Sequence, residues 1–386
     1  MIGPPVRATV APRTRLPDDA EATMTRRLSD HFGHLFPTTA VGSYPRPKWN
    51  TFDLGGEDIR VAMRRGDFAE AYSDGVRAMI GDQIDAGLDL PTDGHLWYDR
   101  HEGFISSFLL YPAYHLDGIT VQPAPNHLFD LFGTETAAPF AGTWSETTVD
   151  GPIGRGTMHL ADLWRTARAV SPRTVKFCSG MGPANLAGWL TDRHYHDKKA
   201  LYRDLAAAYN AEFKDAVAAG VEVLQLDDVG FTLHQPEDYP LVVETLNQAL
   251  EGVEALTIFH ICHLASGVPV GITPYAGFHE LVANELQVDA VEYAFAETGF
   301  PDDDFDLWSR YPSDKGIGVG CIDIKRLVVE TPDAIVAGVR KALEHVSPDR
   351  VHLTSDCGLF SLPRPMARGK LVSMAAAAEQ LRAEFS

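Results

Sequence analysis

The hydrophobic and polar positions of this sequence follow two alternating patterns along most of the chain. One pattern consists of short, continuous runs of apolar and β-branched residues. Such runs are typical of strands that are buried on both faces of a parallel sheet. Eight runs predict strands, at residues 38–44, 88–94, 175–180, 221–228, 256–262, 288–295, 316–322 and 351–357.

The second pattern is helical and fills the intervals between these runs. Its clearest example is 197–219, where apolar residues recur at helical spacing and Gly220 follows as a stop signal. Strands that are separated by helices pair in parallel, and eight such units predict an α/β fold of the (β/α)8 TIM-barrel type. Further helices are predicted at 67–86, 236–252, 332–346 and 366–384.

The interval 95–174, between the second and third predicted strands, is too long for a simple loop and is rich in proline and aromatic residues. We interpret it as an elaboration near the barrel mouth, with a helix near 101–111, a short hairpin and a helix near 159–169. No stretch of the sequence is typical of an interdomain linker. We therefore predict one barrel domain over 36–386 and a flexible N-terminal arm over 1–35.

Composition and charge exclude several classes of protein. The 386 residues carry a formal net charge of −20, whereas a nucleic-acid partner would require a basic face. No run approaches the roughly 18 apolar residues of a transmembrane helix, and the opening segment lacks the apolar core of a signal peptide. We expect a cytoplasmic protein that acts on small molecules and keeps its cysteines reduced.

Residues with metal-binding chemistry collect at strand ends, where barrel enzymes place their catalytic groups. His260 and Cys262 end the fifth predicted strand, and their spacing of two puts both side chains on one face. Cys357 ends the eighth strand. Imidazole and thiolate bind zinc at about 2.0–2.3 Å, so these three residues predict a zinc site. A zinc-bound thiolate is a nucleophile, which makes sulfur alkylation the natural chemistry.

A structural alternative applies to every free cysteine, because cysteine is often buried as a small hydrophobic residue. Cys178 and Cys321 lie inside apolar runs, and we assign them to the core. Polar residues also end three other predicted strands. Ser43, His95 and Asp227 are therefore candidates for facing the barrel mouth.

Four motifs, in order, resemble the catalytic domain of cobalamin-independent methionine synthase. They are FPTTAVGSYPRP at 36–47, LQLDD at 224–228, His260-Ile261-Cys262, and SDCGL at 355–359. The resemblance extends from about residue 36 to the end of the chain. It implies a (β/α)8 barrel, methyl transfer to a thiol, and zinc held by the His-x-Cys pair, a glutamate on the next strand and the late cysteine.

The chain departs from this family pattern at the glutamate ligand. Counting from Asp289, the corresponding position falls on Ala294. Glu292 lies on the same strand face and is the tentative replacement, and Glu297 in the following loop is a second candidate. Without any carboxylate, the site would resemble that of epoxyalkane:coenzyme M transferases, which are relatives of the family.

Two further departures concern the substrates. His95 stands where the family has a glutamate that holds the ammonium of homocysteine, which puts an amino-acid acceptor in doubt, whereas Asp227 keeps the other ammonium-binding position. Lys325 replaces a histidine that protonates the folate leaving group. Because lysine is a poor general acid near neutral pH, we expect Lys325 to be solvated or salt-bridged. The methyl donor and the acceptor therefore stay open.

We predict a zinc-dependent methyltransferase that acts on a small thiol, or runs in reverse, with Ser43, His95 and Asp227 positioning the substrate. Two alternatives stay open. An epoxide-opening thiol transferase of the coenzyme M type would need arginines to bind a sulfonate, and Arg364 and Arg368 are the candidates. A non-catalytic zinc- or thiol-binding protein would hold its metal with four protein ligands.

Overall fold

The computed structural model describes residues 25–98, 110–123, 145–228, 231, 234–261 and 275–385. The strands in chain order are β1 (Asp117–Pro123), β2 (Ser145–Gly154), β3 (Phe177–Met181), β4 (Thr191–Asp192), β5 (Val223–Asp227), β6 (Leu256–Ile261), β7 (Ala290–Ala294), β8 (Gly316–Gly320) and β9 (Val351–Thr354). The helices are α1 (Leu28–Phe32), α2 (Ile59–Ala62), α3 (Gly66–Asp85), α4 (Leu160–Val170), α5 (Pro183–Trp189), α6 (Lys198–Ala219), α7 (Tyr239–Leu250), α8 (His279–Asn284), α9 (Asp302–Arg310), α10 (Pro332–Leu343) and α11 (Arg364–Glu384).

A six-stranded sheet in the order β3-β5-β6-β7-β8-β9 forms the centre of the fold, and all of its strands run in parallel. Each strand coincides with one of the last six predicted runs. Every residue of these six strands is buried, as their continuous apolar pattern indicated. The α/β class with parallel strands is therefore confirmed.

The first two predicted runs contact the two edges of this sheet through isolated parallel bridges. Thr38 is bridged to Leu353 of β9, and Thr92 is bridged to Lys176, the residue before β3. Thr39 and Leu90 bridge the two segments to each other. The two segments are thus bridged to the outer strand β9, to the residue before β3 and to each other.

The predicted helices are present between the strands. The longest, α6, begins after Asp197, whose side chain accepts from the backbone N–H groups of Lys199 and Ala200 and so caps the helix. It ends at Gly220, which has a φ of 112° that suits glycine. None of the helices that the structure describes is long and apolar enough to cross a membrane.

The elaboration before β3 contains the predicted hairpin and its second helix. Strands β1 and β2 pair antiparallel, and β2 also pairs with the short strand β4. Helix α4 corresponds to the helix predicted near 159–169. The helix predicted near 101–111 lies mostly outside the described residues, which resume with a helical stretch at 110–115.

Part of the predicted N-terminal arm is described. Residues 1–24 lie outside the described part, whereas α1 packs against the sheet. Leu28 is buried, the backbone N–H of Arg26 donates to Asp289 at 2.9 Å, and the Ser29 hydroxyl donates to the Asp349 carbonyl. These contacts fix the chain from residue 26 onward.

Candidate active site

Three ionisable side chains lie in register on adjacent strands at the centre of the sheet. Asp227 on β5 is directly opposite His260 on β6, and His260 is directly opposite Glu292 on β7. Their exposed fractions are 5%, 1% and 0%. Three groups with acid–base or metal-binding chemistry are therefore buried side by side, near the strand ends at which the sequence predicted a site.

His260 also meets Cys357, which lies in the loop after the edge strand β9. Burial lowers the pKa of His260, but the interaction of its ring with the Cys357 thiol and the charges of Asp227 and Glu292 raise that pKa above its usual value. Within the described part of the chain, neither ring nitrogen of His260 meets a partner in good hydrogen-bond geometry. Such buried, unbonded nitrogens are rare, and beside a thiol they match the donor set of a zinc site.

Glu292 is held by two buried basic side chains. Its Oε1 accepts a hydrogen bond from His352 Nε2 at 3.1 Å and lies 3.5 Å from Lys176 Nζ. Burial raises the pKa of Glu292, but Lys176, followed by His352 and His260, lowers it to about 2. Its Oε2 lies 3.7 Å from His260 Nδ1 and has no hydrogen-bond partner among the described residues. Glu292 is therefore an ionised carboxylate beside the imidazole.

Strand β8 leaves room for this buried cluster because it lacks side chains at the contact. Gly318 lies between Glu292 and His352 in the strand register. A Cβ on Gly318 would lie 2.4 Å from Glu292 Cγ and 2.5 Å from His352 Nε2. Two residues later, a Cβ on Gly320 would lie 2.5 Å from Asp356 Oδ1. Larger residues at these positions would displace the charged groups.

Gln225 joins Asp227 to the same cluster. Its Nε2 donates to the Asp227 carboxylate, and its Oε1 accepts from Lys176 Nζ. Burial raises the pKa of Asp227 to about 7, although His260, Gln225 and Lys176 each lower it. A cation placed against Asp227 would therefore stabilise its ionised form.

His95 is neutral, with one ring nitrogen that donates a hydrogen bond and one that can accept. Its Nε2 lies 3.2 Å from the backbone carbonyl of Cys178, and because a carbonyl oxygen can only accept, Nε2 carries the proton. Burial lowers the pKa of His95, so the ring has no charge at neutral pH. Its Nδ1 is a buried acceptor without a partner in the described residues.

Ser43 lies against the segment that carries Cys357. The backbone N–H of Leu359 donates to the Ser43 carbonyl at 2.7 Å. A Cβ on Gly358 would lie 1.9 Å from Ser43 Oγ. Ser43 therefore connects the first predicted strand to the loop of the candidate metal ligand.

Replacing Gly358 with alanine is expected to displace the Ser43 hydroxyl and to lower catalytic efficiency by up to about 100-fold, as misplaced groups can do. Steady-state kinetics would measure the change. Gly81→Ala is the matched control, because a Cβ on Gly81, within α3, meets nothing within 4 Å. That control should keep its activity and gain about 0.5–1 kcal/mol of stability. Equal activity of the two variants would mean that the Ser43 hydroxyl has no positioning role.

The loop after β7 is fastened to the residue before Cys357. Asp356 accepts backbone hydrogen bonds from residues 295–297, at 3.0, 3.1 and 2.6 Å. The side chain of Glu297 forms an ion pair with Lys325 at 2.8 Å. Lys325 is thus salt-bridged, which is one of the two states that we expected, and Glu297 pairs with its ammonium.

The remaining candidates are distributed as follows. Cys262 lies outside the described residues. Among the residues that are described, no group of three or more His, Cys, Asp or Glu side chains is arranged to hold a metal ion. Arg364 forms an ion pair with Asp82 at 2.5 Å. Cys178 and Cys321 are both fully buried.

The polar side chains beneath the candidate site were not predicted from the sequence. Lys176, Gln225 and His352 are buried, but each stands inside a run that was interpreted as apolar core. A charged or amide side chain within such a run is the signal that could have revealed them, because such groups are seldom fully buried without a partner. Tyr98 was missed as well; burial, followed by the charge of Asp227, raises the pKa of its hydroxyl.

Comparison with known proteins gives the family. A model described as "Cobalamin-independent synthase, Catalytic domain" matches residues 153–380. The methionine synthase of Saccharolobus solfataricus is 32% identical over 360 residues, which cover 91% of this chain and 96% of that protein. The chain belongs to the cobalamin-independent methionine synthase family. The resemblance of the four motifs is therefore confirmed, and the chain is an enzyme of this type.

Other members and solved structures are similar over most of their length. The methionine synthase of Sulfolobus acidocaldarius is 28% identical over 349 residues, covering 88% of this chain and 90% of that protein. A B12-independent methionine synthase from a Shewanella species, in complex with selenomethionine, has a TM-score of 0.72 at 24% identity and covers 91% of this chain and 99% of its own. A methyltransferase from Methanosarcina mazei has a TM-score of 0.53 at 14% identity, covering 90% and 94%. These structures share the fold.

The end of β7 carries the two positions that bear on the predicted glutamate ligand. Ala294, where counting from Asp289 places the predicted glutamate ligand, is the last residue of β7. Glu292 lies two residues earlier, level with His260. Its carboxylate is therefore set back from the strand end, beside Lys176 and His352.

Proposed function

We propose that this enzyme transfers a methyl group to the sulfur of a small thiol, with homocysteine as the first candidate, at a zinc ion held by His260, Cys262 and Cys357. Family membership supports the methyl transfer. The observation that carries the metal site is the His260 ring, which is buried beside the Cys357 thiol with neither nitrogen in good hydrogen-bond geometry among the described residues.

The donor atoms fit zinc. A neutral imidazole and two thiolates are ligands of catalytic zinc sites, which keep one position for water or substrate. Cys262 is two residues from His260 on the same strand run, so both side chains would face one side. When bound, zinc supplies thiol activation, because a coordinated thiol is deprotonated near neutral pH.

The site would lie at the mouth of a closed (β/α)8 barrel within a single domain over 36–386. The bridges of Thr38 to Leu353, Thr39 to Leu90 and Thr92 to Lys176 support this closure. They would complete a ring of eight strands in chain order. The C-terminal ends of such strands form the catalytic face of barrel enzymes.

The chain's own residues would bind and orient the thiol substrate. Asp227 would accept the ammonium of an amino-acid acceptor, which would in turn keep this buried carboxylate ionised. His95 Nδ1 would accept a second hydrogen bond from the same ammonium, since the neutral ring presents a lone pair. His95 therefore suits an amino-acid acceptor better than its residue type alone suggests. Ser43 would position the substrate beside Cys357.

X-ray absorption at the zinc edge, with and without homocysteine, tests this function. One equivalent of zinc with sulfur and nitrogen ligands is expected, and homocysteine should add one sulfur ligand. Assays with a methylated folate and with an epoxide as alternative alkyl donors would follow the product thioether. A zinc ion whose ligand shell is unchanged by thiols would instead favour the non-catalytic alternative.

The coenzyme M-type alternative finds less support in the surroundings of the site. It depends on arginines for sulfonate binding, and Arg364 is engaged by Asp82 and by the carbonyl of Ala78. The guanidinium would have to leave a carboxylate in order to bind a sulfonate. Methyl transfer remains the function that we propose.

A further inference from the structure

Glu292 has the position of a potential metal ligand, but one of its two oxygens is already occupied. Oε1 accepts from His352 Nε2 and faces Lys176 Nζ. Only Oε2 is left, and it lies 3.7 Å from Nδ1 of His260. The Glu292 carboxylate thus lies between His352 and Lys176 on one side and the His260 imidazole on the other.

The charge of Glu292 is compensated without a metal. The side chains of Lys176 and Glu292 are both 0% exposed, so no solvent screens the ammonium from its surroundings. A divalent cation bound to Oε2 would lie close to this ammonium and would be repelled by it. The side of the imidazole that faces Glu292 is therefore unfavourable for zinc.

The two ring nitrogens of His260 can serve two different partners, a carboxylate and a metal ion. Nδ1 is the ring nitrogen nearer the backbone, and it faces Glu292 on the neighbouring strand. A carboxylate that accepts from one ring nitrogen of a histidine fixes the tautomer and orients the other nitrogen toward a metal. Cys357, the other described candidate ligand, interacts with the same ring.

We propose that Glu292 is not a zinc ligand but a positioning residue, which accepts from His260 Nδ1 and directs Nε2 to the metal, with Lys176 and His352 holding the carboxylate in place. This inference rests on the zinc site of the proposed function. It gives a role to Glu292, which lies two residues before Ala294 and which the sequence identified only as a tentative ligand. The metal would then have one nitrogen and two sulfur ligands from the protein.

An anomalous-diffraction structure of the zinc-loaded enzyme tests the assignment directly. We expect zinc on Nε2 of His260 and Glu292 Oε2 within hydrogen-bond distance of Nδ1. A Glu292 oxygen at about 2.0–2.2 Å from zinc, which is the bonding distance, would overturn the proposal. Absence of zinc from the wild-type enzyme would instead overturn the proposed function on which it rests.

A charge-balanced double variant gives a second test in solution. Glu292→Gln alone would leave the ammonium of Lys176 buried without a counter-charge, so Lys176→Met is combined with it. We expect about 10–100-fold weaker zinc binding, the usual effect of losing an outer-shell partner. The absorption spectrum of the cobalt-substituted variant should keep the band positions and intensities of wild type, because the ligands are unchanged.

The control removes another ion pair with a buried carboxylate, whose cation is 39% exposed. Arg155 binds the buried Glu212 at 2.6 Å. Both residues are distant in sequence from the proposed zinc ligands. Arg155→Met with Glu212→Gln should leave zinc affinity unchanged, even if the protein becomes less stable. Shifted cobalt bands in the Lys176/Glu292 double variant would mean that a ligand was lost, and zinc affinity equal to that of the control would mean that Glu292 has no positioning role.

Discussion

Exchange of Cys357 for serine is expected to lower zinc affinity and methyl transfer by more than about 100-fold. Loss of an outer-shell partner of a metal site costs up to about 100-fold, and Cys357 is proposed to bind the zinc directly. The thiol interacts with the His260 ring, and serine keeps its size but replaces a soft thiolate with a hydroxyl that stays protonated. Zinc analysis after dialysis against a weak chelator, together with turnover measurements, would record the loss.

Cys321→Ser is the matched control for this exchange. Cys321 is fully buried at the end of the neighbouring strand, and its thiol donates to the Thr354 carbonyl at 3.4 Å. A serine hydroxyl can make the same bond. This variant should keep its zinc and its activity. Normal zinc content in Cys357→Ser would remove Cys357 from the metal site, whatever the activity of that variant.

Replacing Asp227 with asparagine is expected to change function and stability in opposite directions. Methyl transfer should fall sharply, because the amide has no charge with which to bind an ammonium. The metal-free variant should be more stable than metal-free wild type at pH 7 by a few kcal/mol, since asparagine can accept from Gln225 without the cost of burying a charge. Urea unfolding and acceptor kinetics would measure the two effects.

The pH dependence of this stability difference has a defined sign. The pKa of Asp227 is about 7 in the folded state, against an ordinary value of 3.8. Between these values the folded chain binds a proton that the unfolded chain has lost, so wild-type stability falls as pH rises, by at most about 1.4 kcal/mol per pH unit. The advantage of Asp227→Asn should therefore be small near pH 4, grow up to pH 7 and then level off.

A second buried carboxylate serves as the control for Asp227. Glu212 is 1% exposed but is bound by Arg155 and by the backbone N–H of Leu160 at 2.8 Å. Glu212→Gln should destabilise the protein, because it removes the charged acceptor of Arg155 and of the Leu160 N–H and leaves Arg155 with Asp215 alone. An equal loss of stability in Asp227→Asn would show that Asp227 is stabilised in the native state by contacts that a carboxylate alone provides.

The sheet could be predicted from sequence because strand and helix periods are local properties. Each of β3 and β5–β9 coincides with an apolar run, and α6 has both its cap and its stop signal in the sequence. The antiparallel pair β1 and β2 was located only roughly, because its pairing joins segments more than twenty residues apart. Strand bounds were overextended at the polar ends, where Cys357 lies in a loop and not within β9.

The candidate site could be predicted only in part, for a different reason. Spacing of two and strand-end position identified His260, Asp227 and Cys357 because these are local features. The partners of Glu292 were missed, because contact with Lys176 and His352 depends on how strands that are distant in sequence are aligned in the fold. The neutral state of His95 was likewise invisible, since it follows from burial and from a bond to the distant Cys178 carbonyl.

The glycines of β8 have a consequence for attempts to rebuild this chemistry elsewhere. Gly318 and Gly320 give up side-chain volume that Glu292, His352 and Asp356 occupy. In another scaffold, the strand at the place of β8 would carry side chains such as valine or isoleucine. If only the polar groups were transferred, these side chains would occupy the space that the polar groups need. A design would therefore need the two glycines of β8 as well as the polar residues that pack against them.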